Sequence, residues 1–354
     1  MKWGVRRTRV AETGGTGVVR FTGGHSAPTL EDVARIAGVS RATVSRVVNG
    51  GTLVAAKTTE AVREAITQLD YHPNRAARAL VTRRTGVIAV LVPETDERVF
   101  ADPYFPQVYH GALQAFAGSD VQVVLAMSQP GDSASRMVRY LESGHVDGAL
   151  IASHHGPALG QALVKSWQPV VFLGDPEVPG ICFVELDNRQ AAMTATRHLI
   201  ERGARRIGTV TGPLDMASAR GRLEGFQVAM AEAGLDGNLY AEGGYNAQSG
   251  QVVEQLLARA PDLDGVFVAN DLMAVTAMGI LQRLGRRVPE DVRIVGFDDA
   301  SIGRQCTPQL TTMTNPAAEH ARIAAEMLME ILAGGGPEVR NLMTASQLVV
   351  RGST

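Results

Sequence analysis

Residues 29–50 read TLEDVARIAGVSRATVSRVVNG, two short amphipathic segments around a glycine. Thr29 is placed to N-cap the first, and Glu31 and Asp32 in its opening turn suit the positive end of a helix dipole. Leu30, Val33 and Ala37 recur at helical spacing, as do Ala34 and Ala37. Gly38 accepts a left-handed turn without side-chain cost and ends the helix, and Val39 anchors the turn. Ser40 caps a second helix running to about Asn49, which buries Val44 and Val47 and exposes Arg41, Ala42, Ser45 and Arg46. Two helices joined this way make a helix-turn-helix, whose second helix lies in the major groove of DNA. Arginine there can pair bidentately with guanine, and Ala42 can touch a thymine methyl or simply allow close approach. Thr43 and Ser45 suit phosphates, which fix register rather than sequence. Thr29, Ser40 and Asn49 complete the candidate DNA-binding set of this segment.

Downstream, TTEAVREAITQLD predicts a third helix over 58–70, with Ala61, Val62, Ala65, Ile66 and Leu69 on one apolar face closing a small core. Tyr71-His72-Pro73-Asn74 ends it, since proline disfavours helix at the residue before it. Arg75 to Leu80 can form one more short helix, too short to be stable alone in water. Charge supports a nucleic-acid face. Residues 1–84 hold 14 Lys and Arg against 6 Asp and Glu, a net of +8. The chain totals are 34 and 36, so the remainder holds 20 and 30, a net of −10. The basic end supplies salt-dependent phosphate neutralisation, and the acidic body has no reason to lie on DNA. Residues 1–27, rich in Gly, Thr and Arg, read as a disordered basic extension without a signal-peptide core.

The runs DVARIAGVS, TVSRVVN, TTEAVREAI and LDYHPNRAARAL resemble the headpiece of the lactose-repressor/galactose-repressor (LacI/GalR) family of bacterial transcriptional regulators, and the likeness continues from about Pro28 to the C-terminus. The resemblance implies a headpiece over 28–74, a hinge over 75–84 and an effector-binding, dimerising core over 85–354. It also implies a hinge helix that folds on operator DNA and enters the minor groove. Leu80 matches the leucine that wedges a base step apart, with Asn74, Arg75 and Arg78 beside it. One head reads too few bases for specificity, so a two-fold dimer on a palindromic operator is expected.

After Arg83-Arg84 apolar runs alternate with helical stretches. GVIAVLVP (86–93), VQVVLAMS (121–128), VDGALIAS (146–153), QPVVFLG (168–174), RRIGTVTG (205–212), DGVFVAN (264–270) and VRIVGFDD (292–299) read as buried parallel strands. Helices are expected over 187–202, 217–233 and 271–284. The fold class is therefore α/β and doubly wound, with an N-terminal helix-turn-helix headpiece. By the resemblance the core has two lobes like a periplasmic binding protein: one of about 86–184 plus 315–343, the other of about 185–314 plus 344–354. A ligand belongs between them, at the carboxyl ends of the strands. The loop FADPYF after the first strand then offers Asp102, Tyr104 and Phe105, and Asp175 follows the fourth strand. Arg222 in RLEGF, Tyr245 in GGYNAQSG, Asn270 and Asp298 match effector-contacting positions of the family. Asp187 is read as a helix cap, and Asp271 as a cap of its own helix.

Nothing in the chain reads as an enzyme. Asp298 and Asp299 are adjacent on a strand and point to opposite faces, so they do not converge on a substrate. No Ser-His-Asp, metal-ligand, phosphate-loop or dinucleotide pattern occurs, and no cofactor is expected. Cys182 and Cys306 read as buried reduced thiols, and no run is apolar enough to span a membrane. The expectation is a cytoplasmic homodimeric repressor, released from operator DNA by a sugar or oligosaccharide; PNRAARALVTRRTG and RLEGF look most like actinobacterial-type members controlling sugar use. The alternative within the family is a purine- or nucleoside-responsive repressor, with Tyr104 and Phe105 stacking on a base. A phosphoprotein corepressor is a further option, and a sugar-binding transport protein would share the body but lack the head. The chain ends just after SQLVVR without a heptad tail, which favours a dimer over a tetramer.

Overall fold

The computed structural model describes residues 28–48, 54–72, 84–127, 134–338 and 340–354. The chain divides into two compact units, one within Met1–Arg78 and the other within Ala79–Thr354. The extension 1–27, most of the hinge 75–84, and Asn49, Asn74, Arg75, Arg78 and Leu80 lie outside the described residues.

The first unit holds three helices, α1 (Leu30–Ala37), α2 (Arg41–Val48) and α3 (Ala56–Leu69). Thr29 and Asp32 form a reciprocal cap on α1: the Thr29 hydroxyl accepts from the Asp32 N–H at 3.3 Å, and the Asp32 carboxylate accepts from the Thr29 N–H at 3.0 Å. Arg35 and these bonds hold the Asp32 carboxyl down at about 2. Gly38 ends α1 at φ +64°. Val33, Ala34, Val44, Val62, Ala65 and Tyr71 form the buried core. Helix α3 begins at Ala56, two residues before the expected start, because Ala56 and Lys57 are good helix formers and extend it without a side-chain cap.

In the second unit the described strands are, in chain order, β1 (Val87–Val92), β2 (Gln122–Met127), β3 (Gly148–Ala152), β4 (Val170–Leu173), β5 (Cys182–Leu186) and β6 (Ile207–Thr211). They continue with β7 (Tyr240–Glu242), β8 (Gly265–Val268), β9 (Arg293–Asp298), β10 (Thr311–Thr314), β11 (Asn341–Thr344) and β12 (Leu348–Val349). They form two six-stranded sheets, ordered β2-β1-β3-β4-β5-β11 and β7-β6-β8-β9-β10-β12. Among the described strands every pairing is parallel except β10 with β12. Each sheet is sandwiched between two apolar clusters, so the same doubly wound layout is built twice.

The chain crosses between the lobes after Leu186, after Thr314 and between Thr344 and Leu348. The first crossing therefore falls two residues beyond the expected 184, because β5 stays in register with β4. Backbone bonds tie the crossings together: the Asp187 N–H donates to the Thr344 carbonyl and the Thr314 N–H to the Gln347 carbonyl, both at 2.8 Å. Strands β5, β7, β10 and β11 are additions to the sequence reading. FADPYF is not an open loop: it lies across the helices Asp96–Ala101 and Tyr104–Ala115. Cys182 is buried and Cys306 only half-buried, and both are unpaired thiols. Among the described residues no helix is long and apolar enough to cross a membrane.

Candidate functional site

On the headpiece, Arg41, Ala42 and Arg46 are exposed along α2, and Thr43 and Ser45 are half-buried. The Ser40 hydroxyl accepts from the Thr43 N–H at 3.2 Å and shares a bond with the Thr43 hydroxyl at 2.9 Å. Thus Ser40 caps α2 and Thr43 is partly committed to it. Arg41 is held by Glu31 of α1 at 2.9 Å, with both side chains well exposed. Such a pair is weak and exchangeable. Arg46 is exposed one turn beyond Ala42.

In the second unit a cleft opens between the lobes at the carboxyl ends of both sheets. About 760 Å³ of space there is free of protein atoms, the open solvent at its mouth included. Of the eight expected effector residues, Asp102, Tyr104, Asp175, Arg222, Tyr245, Asn270 and Asp298 line it. Phe105 does not. It is 4% exposed and packs with Val99, Val108 and Phe116 in the lobe-one core. Tyr104 and Phe105 open a helix, where successive residues are about 100° apart, so the cleft and the core each receive one of the two. Their rings meet edge-on at 5.3 Å.

Arg222 is buried and forms no salt bridge among the described residues. Its Nε donates to the Asn188 amide oxygen at 2.8 Å, its Nη1 donates to the Ala269 carbonyl, and its guanidinium lies 3.6 Å from the Phe297 ring centroid. Asn270, rather than Asp271, caps the helix Asp271–Arg283: its side-chain oxygen accepts from the Met273 N–H at 2.9 Å. Its amide donates to the Tyr245 carbonyl at 3.2 Å. Asp271 is instead fully buried behind the cleft, accepting from the Thr312 hydroxyl at 2.6 Å and the Ala300 N–H at 2.7 Å. Burial and the charge of nearby Asp298 push its carboxyl well up. Asp187 caps its helix by accepting from the Gln190 N–H at 2.9 Å.

Several cleft residues carry no sequence signal. Glu185 on β5 accepts from the Asp175 N–H at 3.1 Å and from the Asn188 amide at 3.0 Å. Burial, then the charge of Asp175, pushes its carboxyl up to about 7. Burial raises Asp298 to about 7 as well, against the pull of Arg222, while Asn315 donates to it at 2.9 Å. Asp102 is also raised by burial. His154 and His320 are lowered by burial, His320 to about 4. The cleft thus concentrates carboxyls whose charged form burial disfavours, imidazoles whose charged form burial disfavours, and the rings of Tyr104 and Tyr245. Asp298 and Asp299 diverge as expected: Asp299 turns away to Arg304 and Arg351.

The mouth is bridged by the protein's own groups. Glu94, behind β1, accepts from Arg98, from the Ser153 hydroxyl at 2.7 Å and from His155 Nε2 at 2.9 Å. The other His155 nitrogen reaches Asp215 of lobe two at 2.9 Å, and the Gly156 N–H donates to the Asp215 carbonyl at 2.9 Å. Arg220 of lobe two pairs with Glu177 of lobe one. The bond to Glu94, and then, against burial, the bond to Asp215, raise the His155 pKa. Burial works against the Glu94 carboxylate, but His155, Arg98 and Ser153 outweigh it and hold it low.

A family model described as bacterial regulatory proteins, lacI family, matches residues 29–74, and one described as a periplasmic binding protein-like domain matches residues 196–354. The chain is 41% identical to the HTH-type transcriptional regulator CelR of Thermobifida fusca over 334 residues, covering 92% of this chain and 98% of that protein. Among solved structures it resembles a transcriptional regulator CelR–cellobiose complex, at TM-score 0.72 and 39% identity over 92% of this chain and 100% of that one. It also resembles a lac repressor dimer bound to operator and the anti-inducer ONPF, at TM-score 0.84 and 28% identity over 93% and 99% of the two chains.

Proposed function

The chain belongs to the lacI family of bacterial regulatory proteins, and we propose that it is a dimeric operator-binding repressor released from DNA by a β-linked gluco-oligosaccharide, with cellobiose the first candidate. The observation that carries the effector class is the cleft lining. Buried carboxyls, amides and imidazoles surround two tyrosine faces, a set suited to the hydroxyls and apolar ring faces of an uncharged sugar. Cellobiose enters through the regulator CelR, whose complex with that sugar shares the fold over nearly the whole chain. The purine-responsive alternative loses its pair of stacking rings, since Phe105 is committed to the core.

In this reading the headpiece occupies 28–74, the hinge 75–84 and the effector core 85–354. Arg41 and Arg46 of α2 face base edges, and Ser40, Thr43, Ser45 and Thr29 hold the backbone. The hinge residues Asn74, Arg75, Arg78 and Leu80 act in the minor groove between two half-sites. Asp102, Tyr104, Asp175, Arg222, Tyr245, Asn270 and Asp298 hold the sugar. Ligand-driven movement of the lobes changes the hinge, and a coupling of about 1–3 kcal/mol would alter operator affinity roughly 5- to 150-fold. The protein regulates rather than catalyses.

The test is fluorescence anisotropy of labelled palindromic operator DNA with the full-length protein, at fixed salt, titrated with cellobiose, cellotriose, glucose, maltose, hypoxanthine and guanine. Release by cellobiose or cellotriose at concentrations where maltose is inert supports the proposal. Operator affinity that responds to a purine and to no sugar refutes it.

A further inference from the structure

We propose that Arg98, His154 and the hydroxyl of Tyr245 determine which effector the cleft accepts, each through an atom that the protein itself leaves unpartnered. The inference rests on the effector reading above and deepens it. Among the described residues, four buried side-chain polar atoms have no hydrogen-bond partner: Arg98 Nε, His154 Nδ1, Gln168 Oε1 and Tyr245 OH. Three of the four belong to residues lining the same cleft. A buried polar atom without a partner destabilises a fold, and native proteins keep few of them. Their gathering at one site is what a ligand that supplies the missing partners would require.

The rest of each side chain is fixed. Arg98 commits Nη1 to Glu94, and its guanidinium sits 5.2 Å from the Tyr245 ring centroid. His154 is 5% exposed and packs edge-on against Phe172 at 5.1 Å. Tyr245 is 5% exposed and adopts φ +56°, a strained conformation for a non-glycine residue. Its ring passes over Gly212, where a Cβ would lie 2.1 Å from the ring. The hydroxyl is thereby held in place by a glycine that leaves room for it.

The unmet atoms also define the ligand's chemistry. The Arg98 Nε–H only donates, the neutral His154 Nδ1 donates or accepts according to tautomer, and a phenol hydroxyl does both. An anion would answer Arg98 but would face Glu94, Asp102, Glu185 and Asp298. A sugar hydroxyl, donor and acceptor at once, satisfies all three without adding charge. Arg98 and His154 stand on lobe one and Tyr245 on lobe two, so a ligand that meets all three must touch both walls. That requirement selects a polyol with hydroxyls directed to opposite sides and couples recognition to lobe position.

The experiment uses the full-length protein and cellobiose. Tyr245→Phe removes one oxygen and keeps the ring; Arg98→Lys keeps a cation for Glu94 and removes Nε. Isothermal titration is combined with the melting temperature of the sugar-free protein and with operator affinity in the absence of sugar. Both variants are expected to bind cellobiose at least tenfold more weakly while still binding operator without sugar, and Tyr245→Phe is expected to melt no lower than wild type. Monodeoxy cellobioses provide the readout a merely structural role would not move. The analogue lacking the partner hydroxyl should bind wild type weakly yet lose little more in Tyr245→Phe. If wild type binds cellobiose and both variants match it within twofold, the assignment of these atoms is overturned while the sugar reading stands. If wild type binds none of the sugars, both fall together.

Discussion

Replacing Asp298 by Asn should stabilise the sugar-free protein, and more so at higher pH. The Asp298 carboxyl sits at about 7 instead of 3.8 because burial and the Asp102 charge outweigh Arg222. A displacement of roughly three pH units, at about 1.4 kcal/mol each, corresponds to about 4 kcal/mol. The sign follows from proton counts. Below pH 3.8 both folded and unfolded chains are protonated there and nothing is lost. Between 3.8 and about 7 the unfolded chain gives up the proton while the folded chain keeps it, so stability falls as pH rises. Above about 7 the full penalty is present. Asparagine carries none of it, can still accept from Asn315, and is among the side chains that best tolerate positive φ, here +106°. It also removes a charge that raises buried Asp271. Urea unfolding of wild type and Asp298→Asn at pH 5.5 and 8.0 tests this. The variant should gain about 2–4 kcal/mol at pH 8.0, visibly less at pH 5.5, and weaken in its response to cellobiose. A gain that is equal at both pH values, or a loss at pH 8.0, would refute the assignment of a buried, costly carboxyl.

His155 should make lobe closure pH-dependent. Its pKa is raised in the bridged state by Glu94 and Asp215, with Arg98 behind Glu94, so the latch is fully present below the ordinary histidine range and lost as pH rises through the raised value. Small-angle scattering of the sugar-free protein should show expansion between pH 6.0 and 8.5, and His155→Gln should remove that dependence; a wild type indifferent to pH would sink the latch. Arg41→Ala should lower discrimination at one operator base pair by about 1–3 kcal/mol. The headpiece itself should lose little stability, because the Arg41–Glu31 pair is exposed. Anisotropy against a panel of single-base operator variants checks this, and an unchanged base preference would exclude Arg41 from readout.

How far the sequence could be read depended on whether the signal was local. Thr29, Asp32, Gly38 and Ser40 announce helix ends within three or four residues, and the headpiece follows from them. The buried strands β1, β3, β4, β6, β8 and β9 are legible as apolar runs; their ends, together with the family resemblance for Arg222, Tyr245, Asn270 and Asp298, pointed to seven residues that line the cleft. The strands that escaped are short, polar or peripheral: YAE in β7, TTMT in β10 and NLMT at the β11 edge. With β5 went Glu185, an acid inside an otherwise apolar run, whose role appears only once the strand is set beside Asp175 and Asn188. Phe105 failed for a different reason, because reading FADPYF as a loop hid the helical rotation that separates it from Tyr104. The hardest features join distant segments. His155 and Asp215 are 60 residues apart, and Arg98 acquires its place over Tyr245 only when two lobes meet. Strand ends can be located lobe by lobe from the sequence, but the electrostatics of a cleft belong to the pair of lobes. Arg98, His154 and His155 are therefore placed by contacts that no spacing along the chain could reveal, whereas Tyr245 was legible.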